Sequence, residues 1–131
     1  MYNLVKAVKA LSDETRLRII NVLLVRECCV CEIVQALKIS QTRASRNLTM
    51  LHDAGFLRLK KEGLWSIYSV DKDPEANYLL KLVESVESAL VQNKTAALYK
   101  ERLQKTERTG PGCVNKSGNL SGDATTLCKK N

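Results

Sequence analysis

The chain has 131 residues, 44% of them hydrophobic, which is enough for one compact domain with a tail and too little for two domains. Lysine and arginine outnumber acidic residues by 21 to 14, and the net charge of +7 favours a polyanionic partner such as nucleic acid, although a merely soluble basic surface has the same charge. Lysines interrupt the apolar residues of the N-terminus, so we expect no signal peptide, no membrane contact and a cytoplasmic protein.

Two short amphipathic helices are predicted at the start of the chain. Apolar residues recur at helical spacing between Leu4 and Leu11, and Ser12 with Asp13 offers a break and an N-cap for the second helix. In that second helix we expect Arg16 and Arg18 to face solvent or phosphate. The apolar residues are assigned to the core: Leu17, Ile20, Val22, Leu23 and Leu24.

The next segment predicts two helices joined by a tight turn. The third helix covers roughly Val30 to Leu37, and Ser40 caps a fourth helix that runs to about Ala54. Because the fourth helix is polar on its first turns and apolar further along, the pair is typical of a helix-turn-helix that reads the major groove. We expect its DNA contacts from Ser40, Gln41, Thr42, Arg43, Ser45 and Arg46.

A β-hairpin is predicted after Gly55, which ends the fourth helix. The strands cover residues 56–60 and 65–70, and the polar turn is assigned to residues 61–63. Lys60 and Lys61 would lie at the hairpin tip and contact the DNA backbone or minor groove. The fold class is therefore mainly α with a β-hairpin wing, a winged helix-turn-helix.

A long helix is predicted to start at Asp73 and Pro74 and to run to about Leu103. Its apolar stripe is longer than so small a core can cover, which implies a partner helix, most simply from a second copy of the chain. After about Gln104 the composition shifts to small and polar residues. We therefore predict a domain over residues 1–103 and a disordered tail over residues 104–131, which contains Cys113 and Cys128.

Three cysteines, Cys28, Cys29 and Cys31, lie within four positions, too close for the disulfide framework of a secreted protein. Thiolates bind soft metals and metalloids in preference to oxygen ligands. On a regular helix, residues two apart point about 200° away from each other. Either Cys28 and Cys31 share a helix face, or the first turn of the third helix unwinds so that Cys29 and Cys31 converge.

The sequence resembles the ArsR/SmtB family of bacterial metal-responsive repressors over roughly residues 4–100. Three stretches, residues 10–19, 40–48 and 51–57, and the wing underlie this resemblance. It implies a homodimer formed through the first and last helices, which binds double-stranded operator DNA and leaves it when an inducer binds. The sequence departs from the family at Asn47, where many members have histidine.

The segment around Cys29, Cys31 and the following Glu32 looks like the arsenic-sensing motif of ArsR proteins. It implies As(III) or Sb(III) as inducer and Cys29 and Cys31 as the central metal ligands. The family's third ligand falls on Val34, which cannot bind a metalloid. A third thiolate would therefore come from Cys28 or from the tail, with Cys113 or Cys128 as the sources.

Other interpretations remain open at this point. A repressor of the same fold could sense cadmium or lead, or could sense oxidants through a disulfide between the cysteine cluster and the tail. A winged-helix module that binds only protein is a third reading. An enzyme such as an arsenate reductase is disfavoured, because the cluster lacks an anion-binding loop and a paired acid and base.

Overall fold

A computed structural model describes residues 1–108, so the predicted tail beyond Arg108, with Cys113 and Cys128, lies outside the described residues. The elements in chain order are α1 (Tyr2–Ala10), α2 (Glu14–Leu23), β1 (Cys28–Cys29), α3 (Val30–Leu37), α4 (Gln41–Asp53), β2 (Leu57–Glu62), β3 (Trp65–Val70), α5 (Asn77–Leu90) and α6 (Lys94–Gln104). In the described part, no helix is both long enough and apolar enough to cross a membrane.

The predicted helix-turn-helix is confirmed, and local capping explains its boundaries. Asp13 accepts a hydrogen bond from the Arg16 backbone N–H at the start of α2. Lys38, with φ of 56°, takes the left-handed conformation that ends α3, and the Ser40 hydroxyl accepts from the Arg43 N–H at the start of α4. These caps fix where the recognition helix α4 begins.

The wing is also confirmed, but its predicted turn is wrong. β2 pairs with β3 in an antiparallel register from Leu57 opposite Val70 to Glu62 opposite Trp65. Lys60 and Lys61 therefore lie within β2, and the turn falls at Gly63 and Leu64. The tip shifts because Gly63 supplies the left-handed backbone, with φ of 63°, while an exposed edge strand tolerates charged side chains.

A third strand, β1, was not predicted. Cys28 pairs with Tyr68 and Cys29 with Ile67, so the sheet has the order β1-β3-β2. A two-residue strand has no periodicity of its own and is specified by the partner strand. It attaches the cysteine segment directly to the wing.

The prediction of one long C-terminal helix is wrong. The chain breaks at residues 91–93, and the Asn93 side chain caps α6 by accepting from the Ala96 N–H at 2.9 Å. α5 begins at Asn77 rather than at Pro74. α6 packs on α2 and α3, where the buried Asn21 donates to the Ala96 carbonyl at 3.0 Å. Part of the apolar stripe is thus covered by the chain itself.

Gly55 gives a test of how α4 is joined to the rest of the fold. Its φ is +99°, and a Cβ there would lie 3.0 Å from Cδ1 of Leu79 in α5. We expect Gly55→Ala to lower the free energy of unfolding by about 2–3 kcal/mol, from backbone strain and the contact together. Urea unfolding at fixed protein concentration measures the change.

The matched control is Gly63→Ala, because Gly63 has φ of +63° with no atom within 4 Å of the added Cβ. Only backbone strain of about 1 kcal/mol is expected there. Equal losses at the two positions would show that the Leu79 contact has no effect.

Candidate DNA interface and thiol site

One face of α4 is exposed and polar, and the opposite face is buried. Ala44, Leu48 and Leu51 are fully buried and Asn47 is 8% exposed. The predicted DNA-contacting residues lie at the cap or on the outer face: Ser40, Gln41, Thr42, Arg43, Ser45 and Arg46. The structure therefore brings together the six residues that the sequence assigned to the recognition helix.

Several of the predicted contact groups already have partners within the chain, and Arg43 and Lys60 are two of them. The Arg43 guanidinium donates to the Thr15 hydroxyl of α2 at 2.8 Å. In β2, Lys60 Nζ lies 3.3 Å from a carboxylate oxygen of Glu27 and 3.4 Å from one of Glu62, and these hydrogen bonds raise the Lys60 pKa. To bind DNA, Arg43 and Lys60 must exchange or share these partners.

The cysteine cluster is divided between two sides of β1. Cys28, fully buried, belongs to the main core, whereas Cys29 and Cys31 form a small separate cluster with Ile67, against which Trp65 packs. Successive residues of an extended segment point to opposite sides. The expectation that Cys28 and Cys31 share a helix face is therefore wrong, because Cys28 lies in a strand.

Cys29 and Cys31 converge without any unwinding of α3. Cys29 is the extended N-cap residue of α3, with φ of −87° and ψ of 171°, and Cys31 lies in the first helical turn. A hydrogen bond between the two thiols is the largest influence on Cys29 and, together with burial, raises its pKa. Burial and the nearby Glu32 carboxylate raise the Cys28 pKa to about 12. The Cys28 and Cys29 thiols are therefore protonated at neutral pH.

Sequence reasoning missed the buried carboxylate of Glu32. Its side chain is 3% exposed and accepts from the Cys29 backbone N–H at 3.0 Å, from Arg26 at 2.5 Å and from Arg108 at 3.2 Å. Burial alone would raise the Glu32 pKa, but these three donors together hold it below the usual value. The available signal was an acid three residues after an N-cap.

The segment that follows α6 lies along α3. The Gln35 side chain donates to the Glu107 carbonyl at 3.0 Å and accepts from the Glu107 N–H at 3.1 Å. One residue later, the Arg108 guanidinium meets Glu32 and lies 5.7 Å from the centre of the Trp65 ring. Residues 105–108, named here the C-terminal strap, thus run from the middle of α3 towards its N-terminus and the thiols.

Among residues 1–108, no three cysteine, histidine or acidic side chains form a metal-ligand cluster. Cys29 and Cys31 are two sulfur donors in contact, and soft ions prefer such donors. A third donor would have to come from residues that the structure does not describe, or from another chain.

Comparison with known proteins places these features in a family. Residues 13–58 match the model described as "Bacterial regulatory protein, arsR family". The chain is 31% identical over 121 residues to the arsenical resistance operon repressor of Escherichia coli K12, covering 92% of this chain and 91% of that protein. It is 41% identical over 69 residues to a cadmium resistance transcriptional regulatory protein CadC homolog of Staphylococcus aureus, 52% of this chain and 57% of that one.

A solved structure agrees with the fold. The homodimeric winged helix-turn-helix DNA-binding domain Mb0332 of Mycobacterium bovis, a possible ArsR-family transcriptional regulator, superimposes with a TM-score of 0.58 at 25% identity. The match covers 70% of this chain and 82% of that one. The predicted winged helix-turn-helix is thus confirmed by a relative as well as by the chain's own structure.

Replacing Glu32 with glutamine tests the carboxylate that joins α3 to the strap. The amide keeps the shape but loses the charge that pairs with Arg26 and Arg108, so we expect Glu32→Gln to lower the free energy of unfolding by about 2 kcal/mol at pH 7. Because the folded-state pKa of Glu32 lies below its ordinary value of 4.5, this contribution is complete above that pH and is lost as the pH falls below it.

Urea unfolding of both proteins from pH 7 down to pH 3.5 should therefore show the difference between them narrowing at the acid end. Glu27→Gln is the matched control, because the Glu27 side chain is 39% exposed and pairs with Lys60 across the surface. Its effect should stay below about 0.5 kcal/mol. A difference for Glu32→Gln that is constant with pH would contradict the charge pairing.

Proposed function

Because the chain belongs to the arsR family of bacterial regulatory proteins, we propose that this transcriptional repressor binds operator DNA as a homodimer and leaves it when As(III) or Sb(III) binds Cys29 and Cys31. Members of the family are transcriptional regulators, so the expectation that the chain is not an enzyme is confirmed. The single observation behind the inducer assignment is the contact between the Cys29 and Cys31 thiols at the start of α3.

Exposed apolar surface on α1 supports the homodimer. Leu4, Val5 and Val8 are 40%, 43% and 50% exposed, and Val91, just after α5, is 71% exposed. Burial of such side chains against a second copy would remove apolar surface from water. The Mb0332 domain, which has the same fold, is homodimeric.

Arsenite suits this pair of thiols because its chemistry does not require thiolates in advance. In the reaction As(OH)₃ + 3 RSH → As(SR)₃ + 3 H₂O, each thiol proton leaves as water with an arsenic hydroxide, and the product is neutral. Cadmium or lead ions instead displace one proton into solvent for every thiolate they bind. Oxidants need the thiolate as nucleophile, and burial of Cys29 and Cys28 disfavours it.

The direction of the C-terminal strap supports Cys113 as the third thiolate, from the same chain. Arg108 contacts Glu32, which in turn accepts from the Cys29 N–H. Four residues lie between Arg108 and Cys113, and these five steps along the chain span at most about 17 Å. The thiol pair lies within that reach, so tethering to the strap keeps the entropy of recruiting the sulfur small. Cys28 faces the other side of β1 and is assigned no ligand role.

Release of the operator by arsenite, measured by fluorescence anisotropy of labelled DNA, tests the proposal. We expect Cys29→Ser and Cys31→Ser each to bind the operator normally. Each should abolish release by arsenite, because each removes one of the two adjacent sulfur donors of the proposed site. Trp65, the single tryptophan, packs against this pair and gives a direct fluorescence signal of binding.

Cys28→Ser is the matched control and should be released like the wild type. Cys113→Ser should weaken arsenite binding at least tenfold, an estimate for losing one of three sulfur donors, whereas Cys128→Ser should have no effect. If arsenite released Cys29→Ser from the operator normally, the assignment of Cys29 as an arsenite ligand would be overturned. If peroxide but not arsenite released the wild type, the oxidant-sensing interpretation would be favoured.

The pH dependence of binding separates arsenite from metal cations. Between pH 6 and 8 we expect the arsenite affinity, followed by Trp65 fluorescence, to be nearly constant, because the reaction releases water rather than protons. Cadmium affinity should rise by about tenfold per pH unit for each proton displaced, since the raised pKa of Cys29 keeps that thiol protonated in this range. A cadmium affinity that exceeds that for arsenite at every pH would assign the protein to cadmium sensing instead.

A further inference from the structure

Arg16, on the first turn of α2, contacts two other helices, α1 and α4. Its Nε donates to the Ala10 carbonyl at 2.6 Å and its Nη2 to the Lys9 carbonyl at 3.4 Å, both at the C-terminal end of α1. Its Nη1 donates to Oδ1 of Asn47 in α4 at 2.9 Å. The side chain is only 12% exposed. Nε, Nη1 and Nη2 of the guanidinium thus each donate to an oxygen of the protein.

Asn47 extends this contact along the recognition helix. Its Nδ2 donates to the Arg43 carbonyl at 2.9 Å, while its Oδ1 accepts from Arg16, so donors and acceptors fix the orientation of the amide. The Arg43 side chain returns to α2 through the Thr15 hydroxyl at 2.8 Å. Arg16, Asn47, Arg43 and Thr15 together form a polar bridge between α2 and α4.

We propose that Arg16 is a positioning residue for DNA recognition, which sets the angle of α4 relative to α1 and α2 without contacting DNA. This rests on the proposed binding of operator DNA by α4. It corrects the sequence-based expectation that Arg16 faces solvent or phosphate, an expectation that follows from its position on a polar helix face. Because α1 supplies the proposed dimer surface, the same arginine links the dimer contact to each recognition helix, and so to the spacing of the two half-sites.

The geometry requires arginine rather than any cation. A planar guanidinium can donate in two directions at fixed angles, towards the α1 carbonyls and towards Asn47, whereas a lysine ammonium is a single flexible point charge. Arg16→Lys keeps the charge and removes the fork. Arg18→Lys is the matched control, since Arg18 lies two residues on, pairs with Glu14 and lies over the Tyr99 ring.

The experiment measures affinity for the operator and for a scrambled duplex over a range of salt, using wild type, Arg16→Lys, Asn47→Ala and the double variant. We expect Arg16→Lys and Asn47→Ala each to weaken operator binding about tenfold, as for loss of a hydrogen bond to a charged group. Binding to the scrambled duplex should be unchanged, and so should the slope of log affinity against log salt. The double variant should lose little more operator affinity than either single variant, because both substitutions remove the same contact between Arg16 and Asn47. Arg18→Lys should bind the operator like the wild type.

Each of the following outcomes for the variants overturns the proposal. In Arg16→Met, which removes the charge, a salt slope that falls by about 0.9 would make Arg16 a phosphate contact. Additive losses would show that Arg16 and Asn47 act separately. Equal loss on both duplexes, or a reduced active fraction in stoichiometric titration, would mean that the bridge only stabilises the fold, and Asn47→Ala decides this if Arg16→Lys does not fold. If the wild type itself prefers no duplex, the proposed function fails rather than the role of Arg16.

Discussion

The buried carboxylate of Glu32 is the interaction on which the arrangement of the sensor depends. It holds the Cys29 backbone at the start of α3, the Arg26 side chain from the loop after α2, and Arg108 from the C-terminal strap. A buried acid is stable only when such donors compensate for its desolvation. Because one acid serves three segments, the thiol pair, the end of α2 and the strap are fixed relative to one another before any inducer binds.

The cluster of Glu32, Arg26 and Arg108 also determines which ligands the Cys29 and Cys31 thiols can bind. Arg26 and Arg108 both pair with the Glu32 carboxylate, which also accepts from the Cys29 backbone N–H. The Cys29 thiol remains neutral, since its hydrogen bond to Cys31, its burial and the negative charge of Glu32 all raise its pKa. A neutral product such as a trithiolate of As(III) leaves the pairing of Glu32 with its arginines undisturbed. The site is therefore organised for a neutral, soft ligand, which agrees with the proposed inducer.

The sequence was sufficient where local rules decide the structure. Ser40, the turn at Lys38 and the polar first turns of α4 identified the helix-turn-helix, because capping and amphipathicity act within a few residues. The errors occur where distant partners decide. β1 forms because Tyr68 and Ile67 pair with it. α6 folds back because it packs against α2, where Asn21 donates to the Ala96 carbonyl of α6. Cys28 and Cys29 lie on opposite sides because they form β1. Since β1 was not predicted, the expectation that Cys28 and Cys31 share a helix face was wrong as well.

Under the proposed function, the attachment of β1 would couple the thiol pair to the DNA-binding surface. Cys29 is at once the N-cap of α3 and the partner of Ile67 in the wing, so its backbone cannot move without disturbing either the helix or the sheet. Its neighbour Cys28 is paired with Tyr68, whose ring meets the ring of His52 in α4 edge-on at 6.5 Å. A rearrangement at Cys29 therefore reaches the wing directly and the recognition helix at its C-terminal end. The N-terminal half of α4 is held separately, by Thr15 at Arg43 and by Arg16 at Asn47 in the middle of the helix. With one end fixed and the other displaced, α4 would rotate rather than translate, which turns its outer face away from the groove.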